Sequence, residues 1–332
     1  MLSGSRRHRA KIQSSHQGAG YTHLDLENLV VSLLAPGEQA WPHNVLARLG
    51  YRLHLWDTPL DLVRGPRSVS KRPDAIATRG SANVMLVIEC KAGSEVGLSQ
   101  LPEGQTVAPD EWAAAAGIPP TGFGTPTVVG LLIAESEALE PKLPEIEAGG
   151  LTWLRIEKNR LRVDPCRLPD DRVAPAIAAI DDLNWPRAFV PFSHDPPEGQ
   201  KARALQAISP LILQAAAEGI DFVTAHDLVS KTHAAVWSCT TSDRQKSWSK
   251  VVGLALDDLA HGALKGQVTY ESSVLRLRLQ AVRSGQPAGE RVMAELNKGL
   301  KAQLRRRQSA RARVGGSAAK PLQTSLWEDD FL

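Results

Sequence analysis

Apolar positions set two rhythms along the first 165 residues. Residues 21–34 carry Leu24, Leu29 and Leu33 at helical spacing, behind a Thr22 able to cap the first turn, and so predict an amphipathic helix. Residues 45–49 read as a short helix after a Pro/Gly break, and 51–56 alternate as a strand. Two short strands follow, 74–78 and 84–91, joined by the turn-prone Arg79-Gly80-Ser81-Ala82-Asn83. A continuous apolar run at 127–134 has strand length, and 152–156 with 160–163, split by Lys158-Asn159, predict a hairpin. Together these elements predict a mixed α/β sheet domain over residues 21–165.

The rhythm then changes. Residues 166–200 are rich in Pro and Asp, with Trp185-Pro186, Pro191 and Pro196-Pro197 breaking any period, which predicts a linker or an extended strap. Beyond it, 202–217 reads as one helix, 225–233 as a second capped by Thr224, and 242–260 as a third opened by Ser242 and Asp243. Residues 267–270 and 274–279 alternate as two strands around Glu271-Ser272-Ser273. Three helices and a hairpin over 201–282 are the order of a winged helix-turn-helix domain, mainly α.

Composition adds bounds. A chain of 332 residues, 42% hydrophobic and 23% charged, suits two globular domains and is not that of a disordered protein. No apolar run is long enough to span a bilayer, and the basic, Ser/Gly-rich residues 1–20 read as a mobile segment with no secretory signal. Cys90, Cys166 and Cys239 are far apart and odd in number, which excludes a disulfide framework or zinc knuckle and suits a cytoplasmic protein. The net charge of +3 is mild, but residues 283–320 hold ten Lys/Arg against Glu290 and Glu295. Such an arm implies a polyanionic partner; a solvated helix with a tail is the alternative.

The chemistry concentrates in the hairpin 74–91. A turn centred near Ser81 places residue 74 roughly opposite 88–89, and period-two alternation puts Glu89 and Lys91 on one face and the Cys90 side chain on the other. Two carboxylates that close need a positive charge between them, and a hard divalent ion such as Mg²⁺ or Mn²⁺ suits oxygen donors. Such an ion would polarise a phosphate and acidify a water, with Lys91 orienting that water or neutralising charge on the phosphate. An exposed hairpin carrying a Glu89–Lys91 ion pair is the alternative. A second E-x-K at Glu140-Pro141-Lys142 holds a proline, poor material for a central strand. Cys90 has no histidine nearby in sequence, so a thiol nucleophile is not expected.

Arg72-Pro73-Asp74-Ala75-Ile76 followed by Val87-Ile88-Glu89-Cys90-Lys91 resembles the signature of the PD-(D/E)xK nuclease superfamily, over residues 21–165. The resemblance implies a restriction-endonuclease-like mixed sheet flanked by helices, with Asp74, Glu89 and Lys91 as catalytic residues. It also implies a Mg²⁺ or Mn²⁺ ion on Asp74, Glu89 and the backbone carbonyl of Cys90. Members often carry an acid on the first helix, for which Glu27 is the best match, with Asp25 and Glu38 behind it. Some use a glutamine after the lysine, a place Gln100 can fill.

In the C-terminal half, Arg244, Lys246 and Lys250 on the third helix and Arg276 and Arg278 on the second wing strand offer donors to DNA; a protein-docking role is the alternative. Trp237 and Trp248 read as core. Arg305, Arg306 and Arg307 would add salt-sensitive phosphate contacts. The segment Leu322-Gln323-Thr324-Ser325-Leu326-Trp327 is similar to the peptide by which bacterial replication and repair proteins hold the DNA sliding clamp, with Gln323, Leu326 and Trp327 as anchors; a frayed acidic terminus is the alternative. The function expected is a metal-dependent DNA endonuclease of restriction, phage defence, mobile-element processing or repair, acting as a homodimer or with a partner subunit. A non-cutting DNA-binding adaptor and an RNA-processing nuclease are the alternatives.

Overall fold

Thr22 opens the first helix, α1 (His23–Leu34), through a capping box: its hydroxyl accepts the Asp25 N–H at 3.3 Å, and the Asp25 carboxylate accepts the Thr22 N–H at 2.8 Å. The expected amphipathic stripe is wider than predicted, because nearly every residue from Leu26 to Leu34 is buried. Two polar residues among them, Asn28 and Ser32, are satisfied internally, Ser32 by its hydroxyl donating to the Leu29 carbonyl at 2.8 Å. The Asn28 side-chain amide donates to the Leu24 and Val190 carbonyls at 2.8 and 2.9 Å, and its oxygen accepts the Val190 N–H at 2.8 Å. A helix covered on most sides needs such partners, and one of them comes from more than 160 residues away in sequence.

The structure, a computed structural model, describes residues 21–37, 43–64, 67–92, 107–119, 124–157, 160–180, 183, 189–193, 198–262, 264–266, 268–277, 294 and 297–302. It is mixed α/β. After α2 (Val45–Arg48), the central sheet is built from β1 (Arg52–Trp56), β4 (Ala75–Arg79), β5 (Val84–Lys91), β6 (Thr127–Glu135), β7 (Thr152–Glu157) and β8 (Arg160–Val163), in the order β1-β4-β5-β6-β7-β8. The β5–β6 and β6–β7 pairs are parallel and the others antiparallel. A hairpin of β2 (Leu60–Arg64) and β3 (Arg67–Lys71) stands apart.

Alternation along β5 feeds two cores, as pleating requires. Val84, Leu86, Ile88 and Cys90 enter one, with α1; Met85 and Val87 enter the other. The second core is closed by Leu60 and Leu62 of β2, by Trp112 of α3 (Pro109–Ala115), and by Leu139 and Ile146 of α4 (Ser136–Leu139) and α5 (Leu143–Ala148). The sequence reading had no place for β2, β3 or α3–α5, all seven residues or shorter. The Glu140-Pro141-Lys142 pattern falls in a 3₁₀ turn between α4 and α5 and not in a strand.

The Pro-rich segment is a strap and not a spacer. It carries α6 (Val173–Ala178), and Leu168, Val173, Ile177, Ile180, Leu183, Val190 and Phe192 are buried in the α1-side core. Proline spoils its periodicity, but single apolar anchors still supply the burial that binds it. The buried Asp170 carboxylate pins it further, accepting from Arg172 Nε and Nη2 at 2.8 Å and from Arg79 at the end of β4. Hydrogen bonds from Arg172 hold that carboxyl down at about 2.

The C-terminal half contains α7 (Glu198–Ala217), β9 (Phe222–Thr224), α8 (Ala225–Thr232), α9 (Ala234–Trp237), α10 (Ser242–His261), β10 (Val268–Glu271) and β11 (Val274–Leu277). The three strands pair antiparallel in the order β10-β11-β9. Helix α7 begins before the expected residue 202, and Thr241 caps α10 in place of Ser242. Trp248 is fully buried and Trp237 partly so. None of the described helices is long and apolar enough to cross a membrane.

This half shares its core with the sheet. One continuous cluster runs from Leu24 through the strap to Leu256, Leu275 and Leu300. The Trp56 N–H donates to the Cys239 carbonyl at 2.6 Å, and the Thr240 hydroxyl donates to the Trp56 carbonyl at 3.3 Å, covering the edge strand β1. One apolar cluster is therefore shared by both halves, while the second lies wholly in the sheet half.

His233 lies at this junction, stacked on Trp248 with centroids 4.3 Å apart and edge-on to Phe192 at 4.5 Å. Its Nε2 faces the Phe192 carbonyl at 3.3 Å, which assigns the proton there in the neutral ring. Burial lowers its pKa to about 4. The unfolded chain takes a proton near pH 6.5 and the folded one only near 4, so stability falls as pH drops through that window. The loss is expected to reach about 3 kcal/mol by pH 4. Urea unfolding of the wild type and His233→Leu from pH 7 to 4 checks it: parallel pH profiles would remove His233 as the cause.

Candidate metal centre

A 3₁₀ turn, Gly80–Ala82, joins β4 to β5, and Asn83 completes it at φ 50°, a left-handed conformation that asparagine tolerates better than most residues. The turn fixes the register Ala75↔Ile88, which extended by one residue sets Asp74 across from Glu89. The Asp74 carboxylate accepts the Cys90 N–H at 2.6 Å. On β5, Glu89 is buried, its Oε1 receives the Lys91 ammonium, and its Oε2 is buried with no hydrogen-bond partner. The Cys90 side chain turns to the opposite, apolar side, and burial pushes its thiol well above the usual range, so it is no nucleophile.

Helix α1 brings two more donors to Asp74. His23 and Glu27, four residues apart, share one helix face. His23 Nε2 stands 3.3 Å from Asp74 Oδ1 and 3.7 Å from Glu27 Oε1. One potential ligand atom from each of His23, Glu27 and Asp74 lies within 4.8 Å of the others. The start of α1 is held by the Tyr21 N–H, which donates to Glu135 Oε1 at 3.1 Å. Glu135 ends β6 beside Lys91 and Ala134, so the group sits at the carboxyl ends of the parallel strands, where ligand sites of such sheets commonly form.

The electrostatics are those of acids short of a counter-charge. Burial raises Glu27 to about 8, with the Asp74 charge adding to it. Burial and the Asp74 charge raise Glu89 to about 7 against the pull of Lys91. The hydrogen bond to Asp74 raises His23 to about 9. An ion placed among these groups reverses that logic. Together with the orphaned Glu89 oxygen, this donor set fits a divalent cation.

Glu27 should therefore cost the metal-free protein stability. Its folded pKa lies above the unfolded 4.5, so its contribution is full below pH 4.5 and is lost as pH rises through about 8. Glu27→Gln keeps the shape without a titrating proton, and is expected to stabilise the metal-free protein by about 2–3 kcal/mol at pH 7 while weakening cation binding. Unfolding in urea with chelator present is the check; a lower midpoint for the variant would refute the reading.

Other sequence candidates lie elsewhere. Asp25 is occupied in the capping box. Arg244, expected at DNA, is instead buried and ion-paired with Asp57 at 2.5 Å, so its guanidinium faces the sheet half and not solvent. Lys246 is exposed beside Asp243 at 3.1 Å, Lys250 is exposed on α10, and Arg276 is exposed on β11. Glu38, Gln100, Arg278, Arg305, Arg306, Arg307, Gln323, Leu326 and Trp327 fall outside the described residues.

Sequence reasoning missed His23, Asp57 and Glu135. His23 was legible in the His-x-x-x-Glu spacing on a capped helix. Asp57 was not, because its links are distant: Arg244 and Arg72 on its carboxylate, and the Asp74 carbonyl 2.8 Å from its N–H. No known protein family, no curated protein and no solved structure matches the chain.

Proposed function

We propose that this protein is a metal-dependent DNA endonuclease of the PD-(D/E)xK kind. The observation that carries this reading is the register that faces Asp74 to Glu89 while α1 adds Glu27, with Lys91 on the same strand face as Glu89. Asp74, Glu89 and Glu27 would hold the ion. When bound, a divalent cation supplies Lewis acidity toward a phosphate oxygen and makes a water more acidic. The chain's own residues do the rest. The Cys90 N–H fixes the Asp74 carboxylate, and the Lys91 ammonium, only partly covered, offers positive charge where a phosphate would gather negative charge.

The helices α7, α8 and α10 with the β10–β11 hairpin follow the order of a winged helix. In this reading α10 presents Lys246 and Lys250, and β11 Arg276, to the duplex. The basic stretch through Arg305, Arg306 and Arg307 adds phosphate contacts, and Gln323, Leu326 and Trp327 remain the proposed clamp-binding anchors. Cutting both strands requires two such sites, hence a homodimer or a partner subunit.

One observation favours a second reading, a DNA-binding adaptor that does not cut: the Lys91 ammonium already compensates Glu89. Incubating purified protein with supercoiled plasmid, linear duplex and single-stranded DNA, with Mg²⁺, Mn²⁺ or chelator, separates the two. Nicked or linear product appearing only with a divalent cation supports the nuclease; duplex binding with intact plasmid supports the adaptor.

A further inference from the structure

We propose that His23 is a nitrogen ligand of the cation site, and that this donor makes the site select a first-row transition ion such as Mn²⁺ over Mg²⁺. The inference rests on the cation-binding part of the function proposed above.

The geometry concerns one atom. His23 Nε2 is the ring nitrogen turned to both Asp74 Oδ1, at 3.3 Å, and Glu27 Oε1, at 3.7 Å. Ligands about 2.1 Å from a common ion stand roughly 3–4 Å from one another, so these separations are those of neighbouring ligands. The three residues come from two elements fixed independently. The turn at Gly80–Ala82 sets the position of Asp74, while the capping box and the Tyr21–Glu135 hydrogen bond set α1. Glu89 Oε2, buried and without a partner, belongs to the same electrostatic group, since its carboxylate feels both Asp74 and His23.

The rival arrangement keeps His23 protonated as a counter-ion wedged between two acids. That arrangement describes the cation-free protein. Once an ion enters, a divalent charge, a neutral imidazole and the Lys91 ammonium balance the carboxylates of Glu27, Asp74 and Glu89, and the ion takes the place of the proton between His23 Nε2 and its two acidic neighbours.

The donor set then decides which ion. Mg²⁺ prefers oxygen ligands in near-ideal octahedral geometry and gives up water reluctantly, whereas imidazole suits the softer transition ions. A histidine beside two or three carboxylates therefore tilts the site away from Mg²⁺. The solvent-open side of the His23 ring leaves room for the ion to exchange.

The test measures binding, not cleavage. Mn²⁺ and Mg²⁺ are titrated separately into metal-free full-length protein by calorimetry, for the wild type, His23→Gln and His23→Asp. The wild type is expected to bind Mn²⁺ at least tenfold more tightly than Mg²⁺. His23→Gln should lower Mn²⁺ affinity about tenfold and Mg²⁺ affinity much less, and His23→Asp should reverse the preference toward Mg²⁺. Pulsed electron paramagnetic resonance of the Mn²⁺ complex, with ¹⁵N-histidine protein against unlabelled, should show one directly bonded nitrogen, lost in His23→Gln. No histidine nitrogen coupling in the wild type, or an unchanged Mn²⁺/Mg²⁺ ratio in both variants, would overturn the inference. A nitrogen-coupled Mn²⁺ site that leaves plasmid intact upholds the ligand assignment while the proposed hydrolysis fails.

Discussion

Asp74→Ala is expected to reduce the cation-dependent cleavage of supercoiled plasmid by at least about a thousandfold. Asp74 sits where three influences meet: His23 from α1, the Cys90 N–H from β5, and Glu89 across the hairpin register. On the proposed reading, removing its carboxylate takes away one anionic ligand, and Lewis-acid stabilisation by a bound ion amounts to several kcal/mol, which is on the order of three decades in rate. The alanine also strands the Cys90 N–H, so a lost rate could reflect a loosened hairpin. Asp74→Asn separates these effects, because the amide oxygen can still accept that N–H while the charge is gone. Both variants should lose activity, and the asparagine variant should keep the wild-type unfolding midpoint. Lys91→Ala should lose less, about a hundredfold, since it removes one charge near the phosphate and leaves the ion in place. Single-turnover plasmid assays in Mn²⁺ read all three. A wild-type rate in Asp74→Asn would place any cleavage elsewhere in the chain.

Arg244→Ala should destabilise the fold by about 3 kcal/mol and act on stability before it acts on DNA. The guanidinium is buried and its partner Asp57 nearly so; removing one member of such a pair leaves the other charge uncompensated, typically at 3–5 kcal/mol. The lower end applies because Arg72 Nε also meets Asp57, at 2.7 Å. Lys246→Ala, two residues on and exposed, should change stability by less than about 0.5 kcal/mol. Urea unfolding followed by far-ultraviolet dichroism compares the two. Equal midpoints would mean that the ion pair contributes nothing to holding α10 against the sheet half.

The hairpin and its acids were legible because their information is local. Gly80 and Asn83 mark the turn, five apolar residues precede Glu89, and alternation alone assigns Cys90 to the other face. Thr22 and the spacing to Leu24 and Leu29 gave α1 for the same reason. The short elements β2, β3 and α3–α6 were not legible: a helix of four to seven residues completes too few turns to establish a period, and its stability comes from the core it covers. For the Pro-rich segment the sequence left a linker and a strap both open, because proline and aspartate erase periodicity without preventing burial, as Leu183 and Phe192 demonstrate. Arg244 was misread because a polar run at a helix start looks the same whether it faces solvent or an acid almost 190 residues upstream. In the candidate site, Asp74, Glu89, Lys91 and Glu27 were found by pattern. His23 was missed although its spacing to Glu27 is local; only its approach to Asp74, just before β4, needed three dimensions.

The strap has a consequence for how such a chain can change over evolutionary time. Leu183, Val190 and Phe192 belong at once to the sheet side and to the helices beyond it, with Asn28 clasping Val190. Exchange of either half for an unrelated module would bare the apolar surface of the half that stayed. Change in such a chain is therefore expected by substitution at exposed positions of α10 and β11, such as Lys246, Lys250 and Arg276, and not by recombination at residue 165 or 200.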